Sequence, residues 1–171
     1  MCTQSKVVYR LYVIAAAAAA CFLPSATSSF AATSTATFNV QVTIVATCTI
    51  NSASALNFGS QGVFTANVDQ TSTIQVQCTN TTPYTIGLDA GLGSGATVAV
   101  RKMTSGGVTV NYTLYSDSLR TTVWGTTIGT NTVAATGNGA AQSYTVYGRI
   151  PVQTTPAPAT YSDTVTVTVT Y

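Results

Sequence analysis

The chain has 171 residues, with six Lys or Arg, four acidic residues that are all Asp, and no His. Charged residues make up 6% and hydrophobic ones 46%, which excludes a basic field for nucleic acid or a polybasic patch for anionic lipid. With no His and no Glu, the chain also lacks the usual partners for acid–base or nucleophilic catalysis, so we expect no enzyme.

The N-terminus reads as an export signal. Lys6 and Arg10 give a positive start, and Leu11 to Leu23, with the run Ala15 to Ala20, gives an apolar stretch too short to span a bilayer. Small residues at Ser29-Phe30-Ala31 place the cleavage so that residues 1–31 form the signal peptide. Subtracting those 31 from 171 leaves 140 residues, enough for one domain with a real core. In this mature part Arg101, Lys102, Arg120 and Arg149 balance Asp69, Asp89, Asp117 and Asp163. A neutral surface gives little repulsion between copies and suits a protein that assembles.

The first element after the signal is Phe38-Asn39-Val40-Gln41-Val42-Thr43-Ile44. Side chains of a strand alternate between its faces, so Phe38, Val40, Val42 and Ile44 share one apolar side. Cys48 and Cys78 follow, the two cysteines left once Cys2 and Cys21 depart with the signal. An exported pair is most simply a disulfide, and with no His and no third cysteine a metal site lacks ligands. Closing a loop of about 31 residues contributes about 3.7 kcal/mol on a chain-entropy estimate.

No helical pattern appears. Period-two apolar runs, punctuated by Gly, Asn, Asp, Ser and Pro, predict strands over 37–45, 48–51, 55–58, 72–78, 83–89, 97–103, 108–115, 143–150 and 163–171. Turns are expected at 91–96, 104–107 and 116–118, with irregular stretches over 125–142 and 151–160. Pro151, Pro156 and Pro158 keep the last of these out of a sheet. The final run puts Val165, Val167, Val169 and Tyr171 on one face and Thr164, Thr166, Thr168 and Thr170 on the other. This strand is half buried and closes the sequence. The pattern fits an all-β sandwich or barrel.

Other groups have quieter readings. Tyr84, Tyr112, Tyr115, Tyr144, Tyr147 and Trp124 are spaced for core and edge packing rather than a carbohydrate platform. Arg101-Lys102 reads as a solvated pair beside a turn, and Asp163 as an acceptor of backbone hydrogen bonds at the start of the last strand. No cofactor, metal, nucleic acid or small-molecule substrate is expected. From the residues alone, the 38–44 run is either the first strand of its own complete sandwich or a strand offered to a neighbour.

One ordered set of residues carries a resemblance. It runs from Cys48 through Leu56-Asn57-Phe58-Gly59, Ile74-Gln75-Val76-Gln77-Cys78 and Tyr84-Thr85-Ile86-Gly87-Leu88-Asp89-Ala90-Gly91. Arg101-Lys102-Met103, Val110-Asn111-Tyr112-Thr113-Leu114-Tyr115-Ser116-Asp117 and Trp124-Gly125 follow, then Val146-Tyr147-Gly148-Arg149-Ile150 and Tyr161-Ser162-Asp163-Thr164-Val165-Thr166-Val167. Together these resemble the spore coat protein U domain family, which includes subunits of archaic chaperone–usher pili.

The resemblance implies an immunoglobulin-like β-sandwich that lacks its last strand and is completed by a donated one. It makes residues 32–46 a donor-strand extension, with Phe38, Val40, Val42 and Ile44 as its knobs, and residues 47–171 the incomplete domain. The acceptor groove would be flanked by Val165, Val167, Val169 and Tyr171. Cys48 and Cys78 match the family's cysteine pair. The implied partners are identical or related pilin subunits in a head-to-tail polymer, a periplasmic chaperone and an outer-membrane usher. The implied location is an extracellular fimbrium. Two other readings are a secreted coat or matrix protein that completes its own sheet, and a tip adhesin that binds a surface or glycan.

Overall fold

A computed structural model describes residues 30–171, so nearly all of the expected signal peptide lies outside the described residues. The chain divides between Gln41 and Val42 into two units. In the first, residues 30–41 have no regular secondary structure and are exposed throughout. The second, from Val42 to Tyr171, holds all eight strands among the described residues.

These strands are β1 (Cys48–Ala53), β2 (Val68–Cys78), β3 (Pro83–Leu88), β4 (Arg101–Ser105), β5 (Val108–Tyr115), β6 (Val133–Thr136), β7 (Ala141–Ile150) and β8 (Val167–Thr170). They form a five-stranded sheet, β1-β2-β7-β5-β4, and a three-stranded one, β6-β3-β8. All pairings are antiparallel. This is the immunoglobulin-like sandwich expected, with no helix among the described residues.

Alternation places the core. Ile74, Val76 and Cys78 of β2, Val110, Tyr112 and Leu114 of β5, and Val146 and Ile150 of β7 are buried from the larger sheet. Tyr84, Ile86 and Leu88 of β3 meet them from the smaller one. Trp124 ties the layers together: its backbone N donates to Leu114 O at 2.9 Å, and its indole Nε1 donates to Ile86 O at 2.8 Å.

Several strand expectations need correction. The strand expected over 37–45 does not form, because a segment becomes a strand only when a neighbour takes its backbone groups. Residues 55–58 are loop. Leu56 and Phe58 still pack on the core, while Asn57 Oδ1 accepts from Gly59 N (2.8 Å) and Gly59 turns the chain with φ of 71°. The 97–103 strand begins only at Arg101, since Thr97 and Val100 close a turn through Thr97 N to Val100 O (2.9 Å). The stretch 125–142, taken as irregular, contains β6 and the start of β7. Of 163–171, only Val167–Thr170 is ladder; side-chain carboxylates hold the residues before it.

Candidate strand-pairing site

Two edge strands, β1 of the larger sheet and β8 of the smaller, lie next to one another without pairing. Among the described residues each has a single ladder partner, β2 and β3 respectively. The side of the sandwich between them is an open seam.

Hydrogen-bond parity fixes what β8 presents there. Asp89 N donates to Thr166 O at 3.1 Å, so Thr166, and with it Thr168 and Thr170, turns its backbone groups toward β3. Leu88 N, one residue away, points from β8 toward Gly125 O (3.0 Å). By the same alternation the N–H and C=O of Val165, Val167 and Val169 are directed into the seam. Their side chains pack on the core beside Ile86 and Leu88. Tyr171 lies beyond the last paired residue and is 60% exposed.

The other rim has the same character. Thr79 N donates to Thr47 O (2.9 Å), so Thr47 and Thr49 face β2 and the backbone groups of Cys48 and Ile50 face outward. Ile50 stands directly opposite Val76 and therefore on the core face. Yet Val76 is 0% exposed and Ile50 is 42% exposed. A core-facing side chain left that open marks missing cover. A bulge between Ile50 and Ser52 then shifts the register of β1. Cys48 and Cys78 sit opposite each other with Cα atoms 4.1 Å apart and are joined by a disulfide that fastens this rim to β2.

The start of β8 is held by side chains rather than by a ladder. Asp163 accepts from Leu92 N (2.8 Å), Thr164 N (2.8 Å) and the Tyr112 hydroxyl (2.7 Å). Asp89 Oδ1 accepts from Gly91 N and Thr166 N, both at 2.9 Å. Gly91 has φ of 77°, and a Cβ there would run into the Asp163 carboxylate, so glycine is required. Burial, then the bond to Asp163, drives the Tyr112 hydroxyl pKa well above its ordinary value, keeping it a donor.

Arg101 completes this anchor and corrects the expectation of a solvated pair. It is 0% exposed. Its guanidinium donates to the carbonyls of Asp89 (2.7 Å), Val98 (2.8 Å), Leu88 (3.0 Å) and Trp124 (2.7 Å). Lys102 behaves as expected, with an exposed bond to Ser94 O. Sequence reasoning missed both Arg101 and Ile50. Arg101 opens a strand within an apolar run, and Ile50 lies two residues from Cys48, which was the available signal for its face.

Burial raises the Asp89 pKa, but hydrogen bonds from Thr166 and Gly91 and the Arg101 charge outweigh it, so the value lies below 3.8. A depressed carboxyl contributes stability that is complete above about pH 4 and is lost as pH falls through its folded value. The Thr166 amide should therefore keep its exchange protection down through the ordinary carboxyl range and lose it only below, and Asp89→Asn should flatten that dependence. Equal protection at both ends of the range in the wild type would contradict this anchoring role.

The four residues expected to act as knobs are exposed: Phe38 87%, Val40 81%, Val42 80% and Ile44 76%. Phe38 and Val40 belong to the first unit, Val42 and Ile44 to the second.

Comparison with known proteins gives three results. The Spore Coat Protein U domain matches residues 34–168. Protein U of Myxococcus xanthus is 35% identical over 173 residues, covering 92% of this chain and 96% of its own. The fold is similar to a chain in the crystal structure of the CsuC–CsuE chaperone–tip adhesion subunit pre-assembly complex from archaic chaperone–usher Csu pili of Acinetobacter baumannii. That match has a TM-score of 0.58 and 25% identity, and covers 75% of this chain but only 41% of the other.

Proposed function

The chain belongs to the Spore Coat Protein U domain family, and on that premise we propose that it is an exported structural subunit of a cell-surface pilus. A periplasmic chaperone supplies a temporary strand to the seam between β1 and β8. At an outer-membrane usher, residues 32–46 of the next subunit replace it. The observation that carries this reading is the seam itself, with two unpaired backbone rims and Ile50 uncovered on the core face.

The physics of strand addition fits these rims. Backbone bonds along Val165, Val167 and Val169 supply affinity, and alternate apolar side chains supply register. Burying Phe38, Val40, Val42 and Ile44 at roughly 1.5–3 kcal/mol each would contribute on the order of 6–12 kcal/mol. Association costs of about 4–15 kcal/mol are of the same size, so the backbone bonds along the rims decide whether the donated strand stays. Because donor and acceptor surfaces differ, the contact is head-to-tail and propagates.

Deleting residues 32–45 tests the proposal. The expected result is loss of fibres with chaperone binding retained. A deleted chain that no longer folds or binds the chaperone would instead make the segment part of its own domain. The family name and the near full-length match to Protein U favour a second reading, a secreted coat protein with a self-completed sheet. Size-exclusion after refolding separates the two: a self-completed domain stays monomeric, whereas a donor–acceptor subunit polymerises or aggregates.

A further inference from the structure

The outer face of the five-stranded sheet, turned away from the core, gathers charge in a chain that has little. Arg149 of β7 stands directly opposite Asp69 of β2, and Tyr147 opposite Tyr115 of β5. Arg149 grips the Asp69 carboxylate with two bonds, Nε–Oδ1 at 2.7 Å and Nη2–Oδ2 at 2.8 Å. Arg120, from the loop after β5, reaches the same carboxylate with Nη1 at 3.3 Å, and its guanidinium carbon lies 5.7 Å from the Tyr147 ring centroid. Two cations share the Asp69 carboxylate, while Asp117, the other acid of this face, is turned to the Thr121 and Thr122 amides.

The loop holds Arg120 against the sheet, its side chain 13% exposed. Asp117 accepts from Thr121 N and Thr122 N, and Arg120 N donates back to Asp117 O. Arg120 itself takes φ of 56°, a left-handed conformation that glycine adopts freely and arginine only under strain. Its Nε and Nη1 bond Gly148 O, Ser118 O and Asp69. Among the described residues, Nη2 of Arg120 and Nη1 of Arg149 have no protein acceptor.

Against the expectation of packing alone for Tyr115 and Tyr147, we propose that this face binds an anionic saccharide, whose carboxylate or sulfate takes the free donors of Arg120 and Arg149 while its ring packs on these two tyrosines. Guanidinium forks match planar or multi-oxygen anions, and tyrosine offers an apolar ring with a polar tip to a sugar. Two guanidinium donors suit a single acid group per site; a nucleic-acid backbone would need many cations. The site lies within the unit from Val42 onward and does not depend on strand exchange.

The test uses the exported, disulfide-bonded protein on immobilised polygalacturonate, chondroitin sulfate and neutral dextran. Retention on one or both acidic polymers, weakened by salt and absent on dextran, is expected, and the two acidic arms tell a carboxylate from a sulfate. Arg120→Gly relieves the backbone strain but gives up the bonds to Gly148 O, Ser118 O and Asp69, so retention is read well below the Tm of the variant, where it should be weakened by at least about tenfold. Tyr147→Leu, with the charges intact, should also weaken it. The proposal fails if neither acidic polymer retains the protein, if dextran retains it equally, or if Arg120→Gly binds like wild type. It fails too if that variant changes only self-association, which would make the face a contact between copies.

Discussion

A Val42→Asp subunit should fold and bind its chaperone, yet fail to extend a fibre. Val42 is 80% exposed in the subunit, and an exposed substitution of this kind usually changes folding by no more than about 0.5 kcal/mol. In the assembled state the same side chain would enter the neighbour's seam. There the variant forfeits roughly 1.5 kcal/mol or more of apolar burial and must also desolvate a carboxylate with no cation beside Val165, Val167 or Val169. A combined penalty of about 4 kcal/mol lowers subunit association on the order of a thousandfold. Fibre mass by sedimentation and electron microscopy reads this directly. Thr43→Asp, on the opposite face of the same segment, should assemble normally. Wild-type fibres from Val42→Asp would remove Val42 from the interface.

The seam was half legible in the sequence. The alternation of Val165, Val167 and Val169 with threonines places their side chains without any coordinates, because a strand has only two faces. What alternation does not carry is the partner on each flank. That the same three residues direct their backbone groups outward depends on Asp89 pairing with Thr166, a contact between residues far apart in sequence. Strand existence was likewise easier to read than strand limits. Residues 97–100 and 163–166 have strand-like composition but are held by Thr97, Asp89 and Asp163, whose side chains bond main-chain groups in place of a ladder. β6 was hidden because Val133-Ala134-Ala135-Thr136 is short and small-residued, and only Pro83–Ile86 beside it makes it a strand.

Arg101 was the largest miss, since a charged side chain reads as surface unless its partners are known. Arg101→Ala should cost the most stability of any single change outside the apolar core. It opens a cavity at a site with no exposure and strips a donor from four carbonyls on three separate segments. Losses of this kind run to about 3–5 kcal/mol, or roughly 10–15 °C in Tm for a domain of this size. Arg101→Lys should recover only part, because a compact ammonium has three donors and cannot span the same carbonyls. Arg101→Met separates volume from hydrogen bonding: it refills the space but supplies no donor, and should remain well below wild type. The damage should also spread to the seam, since Leu88 and Asp89 carry the backbone against which β8 is aligned. Hydrogen exchange at Thr168 and Thr170, whose amides face β3, should accelerate in Arg101→Met. Were that variant as stable as wild type, with those amides still protected, the guanidinium would be a space-filler and the anchoring of β8 would rest on Asp89 and Asp163 alone.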